Sequence, residues 1–163
     1  MQILVLYHSK SGNTKSLAEA VAEGAREVEG ISVIMKTPVD VRKEDFTESQ
    51  GVVIGSPVYF GTMASEIKKV IDEFVVVRRK MEGKVGAAFA TSADASGGKE
   101  TTVISILQAL LIYGMIVVGD PISTGGHYGA ACQGNPTSSD IKEAESLGRR
   151  VAELVKKLFS TSS

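Results

Sequence analysis

The chain has 163 residues, 43% of them hydrophobic and 23% charged, with a formal net charge of −1. That length and balance suit one globular domain with one sizeable core, and they exclude a disordered chain. Near-neutral charge leaves no basic footprint for nucleic acid and no polybasic face for a membrane surface.

A single cysteine, Cys132, cannot close an internal disulfide, which fits a reducing compartment. No signal peptide is read at the start, and no apolar run approaches the roughly 20 residues of a membrane span. The expectation is a cytoplasmic protein with neither nucleic-acid nor membrane partner, and no metal-ligand spacing is identified.

In chain order, Ile3-Leu4-Val5-Leu6 predicts a short buried strand. A loop follows, Tyr7-His8-Ser9-Lys10-Ser11-Gly12-Asn13-Thr14. Residues 15–28 then predict a helix with Leu17, Ala18, Val21, Ala22, Ala25 and Val28 on one face. Gly30 marks its end, residues 31–35 predict a second strand, and residues 42–50 a polar connection with room for one helical turn.

Gly51-Val52-Val53-Ile54-Gly55 is a third strand, residues 56–63 a loop, and residues 64–77 a helix burying Ile67, Val70, Ile71, Phe74 and Val75. Residues 84–90 give a fourth strand and 91–98 another small-residue loop. Residues 101–113 predict a helix with Val103, Ile104, Leu107, Leu110 and Leu111 inward. A fifth strand at 115–118 leads through a long loop, 119–136, to a last helix at 138–159. That helix buries Ile141, Ala144, Leu147, Val151, Leu154, Val155 and Leu158. Only residues 160–163 are expected to be disordered, leaving 1–159 as one domain.

Short apolar strands alternating with helices predict an α/β fold, a doubly wound five-stranded parallel sheet of order 2-1-3-4-5. Ligands of such sheets bind outside the carboxyl ends of the strands, where this chain places three loops of unusual composition. Ser9, Lys10, Ser11, Gly12, Asn13 and Thr14 combine hydroxyls, a glycine and free backbone N–H groups at a helix amino end, which suits a phosphate. The plainer reading is a serine-rich turn with Thr14 as helix N-cap. Walker and dinucleotide glycine spacings are absent, and no cysteine or phospho-accepting aspartate stands where a phosphatase or receiver domain needs one. A mononucleotide remains.

Pro57, Val58, Tyr59, Phe60 and Gly61 put two aromatics on the same rim, suited to stacking on a flat ring, though one of the two could instead fold back as a lid. Thr91, Ser92, Ala93, Asp94 and Gly97 supply donors and acceptors for the ring's polar edge, or form a flexible turn with helix caps. A planar redox ring with one phosphate, held by neutral donors, points to FMN.

These segments resemble the flavodoxin-like family, and most of all its WrbA-type NAD(P)H:quinone oxidoreductases. The likeness covers Leu4-Val5-Leu6-Tyr7, the phosphate loop from Ser9 to Thr14, and Ala20-Val21-Ala22-Glu23-Gly24-Ala25. It continues through Gly55-Ser56-Pro57-Val58-Tyr59-Phe60-Gly61-Thr62-Met63, Gly114-Met115-Ile116-Val117-Val118 and Tyr128-Gly129-Ala130. The resemblance implies phosphate contacts at Ser9, Ser11, Gly12, Asn13 and Thr14, and ring contacts at Val58, Tyr59 and Phe60. It implies third-loop contacts at Thr91, Ser92, Ala93, Asp94 and Gly97.

It further implies electron transfer from NAD(P)H to a quinone-like acceptor, and a homodimer or homotetramer with loop 119–136 as a contact. Departures are Tyr113 where the family often has histidine, a third loop poorer in glycine, a shorter connection before strand three, and no tryptophan. Tyr113 and His127 are candidates near the ring, and the flavin itself carries the chemistry. Cys132 reads as a packing or surface residue, since no partner cysteine exists. The alternative is a flavodoxin-type electron carrier without pyridine-nucleotide turnover, although 18 basic against 19 acidic residues offer little acidic excess for docking.

Overall fold

In the computed structural model, which describes residues 1–160, the predicted parallel sheet is the organising element. Its strands are β1 (Gln2–Tyr7), β2 (Ser32–Lys36), β3 (Gly51–Tyr59), β4 (Thr62–Met63), β5 (Val85–Ser92), β6 (Ile116–Val117) and β7 (Ala130–Gln133). Helices α1 (Asn13–Arg26), α2 (Lys43–Glu48), α3 (Ser65–Glu73), α4 (Lys99–Ile112) and α5 (Ser138–Phe159) cover it, with 3-10 turns at Phe74–Met81 and Ile122–Thr124. The path β2-β1-β3-β5-β6 is parallel throughout and matches the predicted order of five strands.

Two strands are additional. β4 folds back antiparallel on β3, and β7 pairs with the upper half of β5 at Phe89–Ser92, where β6 holds only Val85 and Gly86. The edge strand is thus split in two by residues 118–129. Of the expected tail, Ser160 closes α5 by donating its N–H to Lys156 O, and residues 161–163 lie outside the described residues.

Period-two alternation sorts the strand side chains into two cores. Ile3, Val5, Val53, Val85, Ala87 and Phe89 face α1 and α5, whereas Leu4, Leu6, Val52, Ile54, Ala88 and Ala90 face the α3 and α4 side. The α1–α5 contact is unusually close. A Cβ on Gly24 would stand 1.9 Å from Glu145 O, and one on Gly148 would stand 1.9 Å from Val21 O.

α4 corrects the expected face. Thr102, Val103, Ile106 and Leu110 are buried while Leu111 is 55% exposed, because apolar residues spread around this helix mark no single stripe to fix its rotation. Val75 and Leu158 are also exposed, Val75 because the chain tightens into a 3-10 turn at Phe74 and leaves the α-helical register.

One buried cation holds the lower half together. Lys84 Nζ donates to Phe46 O, Thr47 O and Ser49 O, at 3.3, 2.6 and 2.7 Å, and so satisfies the carboxyl end of α2. Burial pushes its pKa below the ordinary lysine value. Lys84→Met would strand those carbonyls, so the unfolding free energy in urea should fall by about 1–3 kcal/mol.

Candidate functional site

The first loop leaves β1 at Tyr7 and enters α1 through Gly12, whose φ of 96° is left-handed and free for glycine alone. Gly12, not Thr14, is the N-cap. The Gly12 N–H donates to Ser9 Oγ and the Ser16 N–H to Gly12 O. Among the described residues, the N–H groups of Ser9, Lys10, Ser11, Asn13, Thr14 and Lys15 meet no acceptor within the chain. Six free donors gather at the positive end of a 14-residue helix, with no acidic residue in its first turn. That is the composition of an anion cradle.

Thr14 has a second task. Its side chain is buried, and its hydroxyl pairs with Thr91 Oγ1 at 2.8 Å, tying the first loop to the third. Lys10 Nζ stands 5.2 Å from the centre of the Tyr59 ring and so joins the first loop to the second.

The second loop is a hairpin. Pro57, Val58 and Tyr59 continue β3 instead of leaving it as expected, and Phe60-Gly61 makes the two-residue turn into β4. Both turn residues have positive φ, 51° for Phe60 and 79° for Gly61, the geometry that matches strand twist in tight hairpins. Phe60 is the one non-glycine residue in this region among the described residues, and its side chain is fully exposed. Neither aromatic folds into the core; Tyr59 is half-buried. A strained backbone carrying an exposed aromatic is the kind of outlier that clusters at functional sites. Phe60→Asn, which relieves the strain, should stabilise the ligand-free protein by about 1 kcal/mol in urea titration. The same change tests the ring contact expected of Phe60, for which flavin binding should weaken about tenfold.

Three residues that the sequence did not single out fix this hairpin. Buried Ser56 donates to Pro57 O and accepts from the Ala64 N–H, both at 2.8 Å. Thr101 Oγ1 donates to Gly61 O at 2.7 Å. Gly98, at φ 98°, brings the third loop so close that a Cβ there would stand 2.9 Å from Gly61 Cα. The third loop begins inside β5, where Thr91 and Ser92 are buried, and Ala93, Asp94, Ala95 and Ser96 are exposed. Asp94 O accepts from Ser92 Oγ and from the Gly97 N–H. All three loops therefore converge at one sheet edge, each linked to the other two.

Two candidates lie elsewhere. Tyr113 ends α4 at the opposite end of the sheet, where its ring packs near Phe46 and its hydroxyl donates to Ile71 O at 2.6 Å. Burial, and then the Asp72 charge, push its phenol up to about 12. His127 sits on the segment between β6 and β7, beside a cavity of about 530 Å³ whose lining includes none of the predicted contact residues. The resemblance suggests Tyr113 through a position that often holds histidine, and Gly125, Gly126 and Gly129 suggest His127, but the length of α4 carries Tyr113 to the far end. Cys132 is a packing residue and not a surface one: it is buried, and burial, with the Asp140 charge, raises its thiol to about 11.

His8 borders the first loop, its Nε2 3.5 Å from Glu66 Oε1. The Glu66 carboxyl is held below its ordinary value, first by its own backbone N–H, with Ser65, His8 and Lys10 adding to the effect. On that side the loop adjoins a cavity of about 580 Å³ lined in part by Lys10, Lys15, Thr37, Val39 and Glu66.

The sequence model of the NADPH-dependent FMN reductase family matches residues 1–129. The chain belongs to that family. This FMN reductase family member is 37% identical to an NAD(P)H dehydrogenase (quinone) of Archaeoglobus fulgidus, across 96% of this chain and 98% of the relative. It is 39% identical to a flavodoxin of Aquifex aeolicus, across 94% of this chain and 86% of that one. A solved flavodoxin described as WrbA-like, from Agrobacterium tumefaciens, superposes with a TM-score of 0.81 at 25% identity, covering 96% of this chain and 98% of the other.

The fold of the family member is flavodoxin-like, as the strand order and loop placement predicted. The alignment with the Archaeoglobus relative runs over 188 positions and that with the Aquifex flavodoxin over 160, against 163 residues here. The dehydrogenase thus carries segments that this chain lacks. No helix among the described residues is long and apolar enough to cross a membrane.

Proposed function

We propose that this protein is an FMN-dependent oxidoreductase that passes electrons from NAD(P)H to a quinone-like acceptor. The observation that carries the reading is the set of six unpaired N–H groups at the start of α1, facing the same edge as the strained Phe60. Those residues fit FMN. The phosphate needs anion donors without competing carboxylates, and the ring needs an apolar aromatic face. Ser9, Lys10, Ser11, Gly12, Asn13 and Thr14 hold the phosphate. Pro57, Val58, Tyr59, Phe60 and Gly61 flank the ring, and Thr91, Ser92, Ala93, Asp94 and Gly97 meet its polar edge.

Bound FMN would supply the chemistry, accepting a hydride from the nicotinamide and delivering two electrons to the acceptor. The chain itself orients that group. Thr14–Thr91 fixes the spacing of the phosphate cradle to the third loop, and Ser56, Gly98 and Thr101 hold the hairpin in place. No side chain is assigned a catalytic role. The same reading places residues 1–159 in one FMN-binding domain, in the cytoplasm, as a homodimer or homotetramer with residues 119–136 at a subunit contact.

A second reading is an electron carrier without pyridine-nucleotide turnover. It is favoured by the 160-position alignment with the Aquifex flavodoxin, which carries few insertions, and by the segments missing relative to the dehydrogenase. One experiment separates the two. The FMN-loaded protein is given NADH or NADPH with and without a soluble benzoquinone, and nicotinamide absorbance is followed. Quinone-dependent oxidation supports the enzyme. Failure to oxidise either nucleotide, with electrons taken instead from a redox protein, supports the carrier.

A further inference from the structure

The segment between β6 and β7 folds around a carboxylate that the flavin site does not use. Asp120 is buried, and its Oδ1 accepts the His127 N–H at 2.7 Å. Its Oδ2 accepts the Gly126 N–H at 3.1 Å and the Thr124 hydroxyl at 3.3 Å. His127 turns its imidazole back over Gly125, where a Cβ would stand 2.1 Å from Cε1. The ring therefore keeps its orientation only because residue 125 has no side chain. In that orientation Nδ1 lies 3.4 Å from Asp120 Oδ2. Among the described residues the pair does not meet hydrogen-bond geometry, although it faces across this gap.

Glu143 arrives from the second turn of α5. One ligand atom from each of Asp120, His127 and Glu143 lies within 4.8 Å of the others. Among the described residues neither carboxylate forms an ion pair with a lysine or arginine. Burial, and then the Asp120 charge, push the Glu143 carboxyl above its ordinary value. Two acids and an imidazole from three separate stretches of chain thus share one small volume. Beside them opens the cavity of about 530 Å³ that His127, Glu143 and Gly126 line.

From this arrangement we infer that Asp120, His127 and Glu143 bind one divalent transition ion of the zinc class, at a site separate from the flavin edge. The spacing fits. Metal–nitrogen and metal–oxygen bonds of about 2.0–2.2 Å at a tetrahedral angle separate two ligand atoms by about 3.4 Å, the value between Nδ1 and Oδ2. One imidazole with two carboxylates suits borderline ions such as zinc, cobalt or manganese more than calcium, which takes six or more oxygens. The backbone N–H bonds to Asp120 orient its carboxylate as an outer shell would. With three protein ligands, a fourth position faces the cavity and is left for water or an exchangeable anion. The ion would also clamp residues 119–129 to α5. Ligands 7 and 16 positions apart in the chain form no sequence motif, which is why spacing alone does not announce the site.

Co²⁺ titrated into the untagged, metal-free full-length chain tests the inference through its visible absorption, with Zn²⁺ calorimetry as the second readout. One saturable equivalent is expected, together with a rise in thermal midpoint. His127→Ala and Glu143→Gln should each weaken binding at least tenfold, and the double variant should abolish it. His127 is largely exposed, so its removal leaves the fold intact, which circular dichroism verifies. Absence of saturable binding up to millimolar Co²⁺, or binding unchanged in the double variant, would overturn the site. Neither outcome depends on flavin content.

Discussion

Ser11→Asp should empty the protein of FMN. Ser11 is exposed and belongs to no core contact, so the substitution leaves the fold alone while placing a carboxylate among the free amides at the start of α1. A unit charge about 4 Å from a phosphate, at the effective dielectric of a protein surface, is unfavourable by about 4 kcal/mol per phosphate charge. The dissociation constant should therefore rise about a thousandfold, which flavin fluorescence on dilution measures directly. Ser11→Ala, which removes only one hydroxyl, should change it less than tenfold, at about 1 kcal/mol for one neutral hydrogen bond. If Ser11→Asp retained flavin at the wild-type level, the phosphate cradle would not be where we place it. The contrast between the two variants tests a specific idea: that the grip comes from backbone amides and the helix dipole, with side chains in support.

Gly148→Val should be the most damaging single change to the fold. A residue other than glycine at 148 meets Val21 O at 1.9 Å, and that oxygen is main chain that cannot rotate away. Exchanging glycine for alanine in a helix gains about 1 kcal/mol of propensity, and steric overlap in a packed core commonly removes 1–3. Here the contact is backbone and reciprocal, since Gly24 meets Glu145 O at the same distance, so α1 and α5 must separate along their whole crossing. A loss of about 4 kcal/mol or more follows, read as a fall in thermal midpoint of roughly 8–16 °C for a chain of this size. Gly148→Ala should show the same sign at smaller size. An unchanged midpoint would mean that the two helices do not approach as described.

These two sites differ in how openly the sequence displays them. Leu17, Ala18, Val21, Ala22 and Ala25 already mark the buried face of α1, and all are buried. Nothing in the periodicity, however, marks Gly24 and Gly148 as partners, because a helix–helix contact between residues far apart in the chain has no local signature. The phosphate loop is more legible. A strand, a loop of hydroxyls and one glycine, and an amphipathic helix together predict free N–H groups at the helix start, and that is where they stand. The plainer reading of Thr14 as N-cap fails because threonine is a good cap in isolation, whereas here its hydroxyl is drawn to Thr91, 77 positions away. α4 illustrates the same limit. With apolar residues on every side, only the packing against β5 decides that Ile106 goes in and Leu111 stays out.

β7 and the β3–β4 hairpin complete this division. Ala130-Ala131-Cys132-Gln133 lacks the branched, apolar character of a strand, and becomes one because β5 offers an unpaired edge. Pro57-Val58-Tyr59 reads as loop until Phe60-Gly61 turns it back on itself. The sequence by itself determined the α/β class, the order of five parallel strands, the three loops at one edge of the sheet and the family. Periodicity, short-range turn chemistry and motif composition are all local properties, so the residues that encode them are neighbours. Tertiary structure alone decided which loops touch, which way Phe60 points, where Tyr113 ends up, and that Asp120, His127 and Glu143 meet. Those outcomes depend on how far apart in the chain two groups stand when the sheet closes, and no window of sequence contains both.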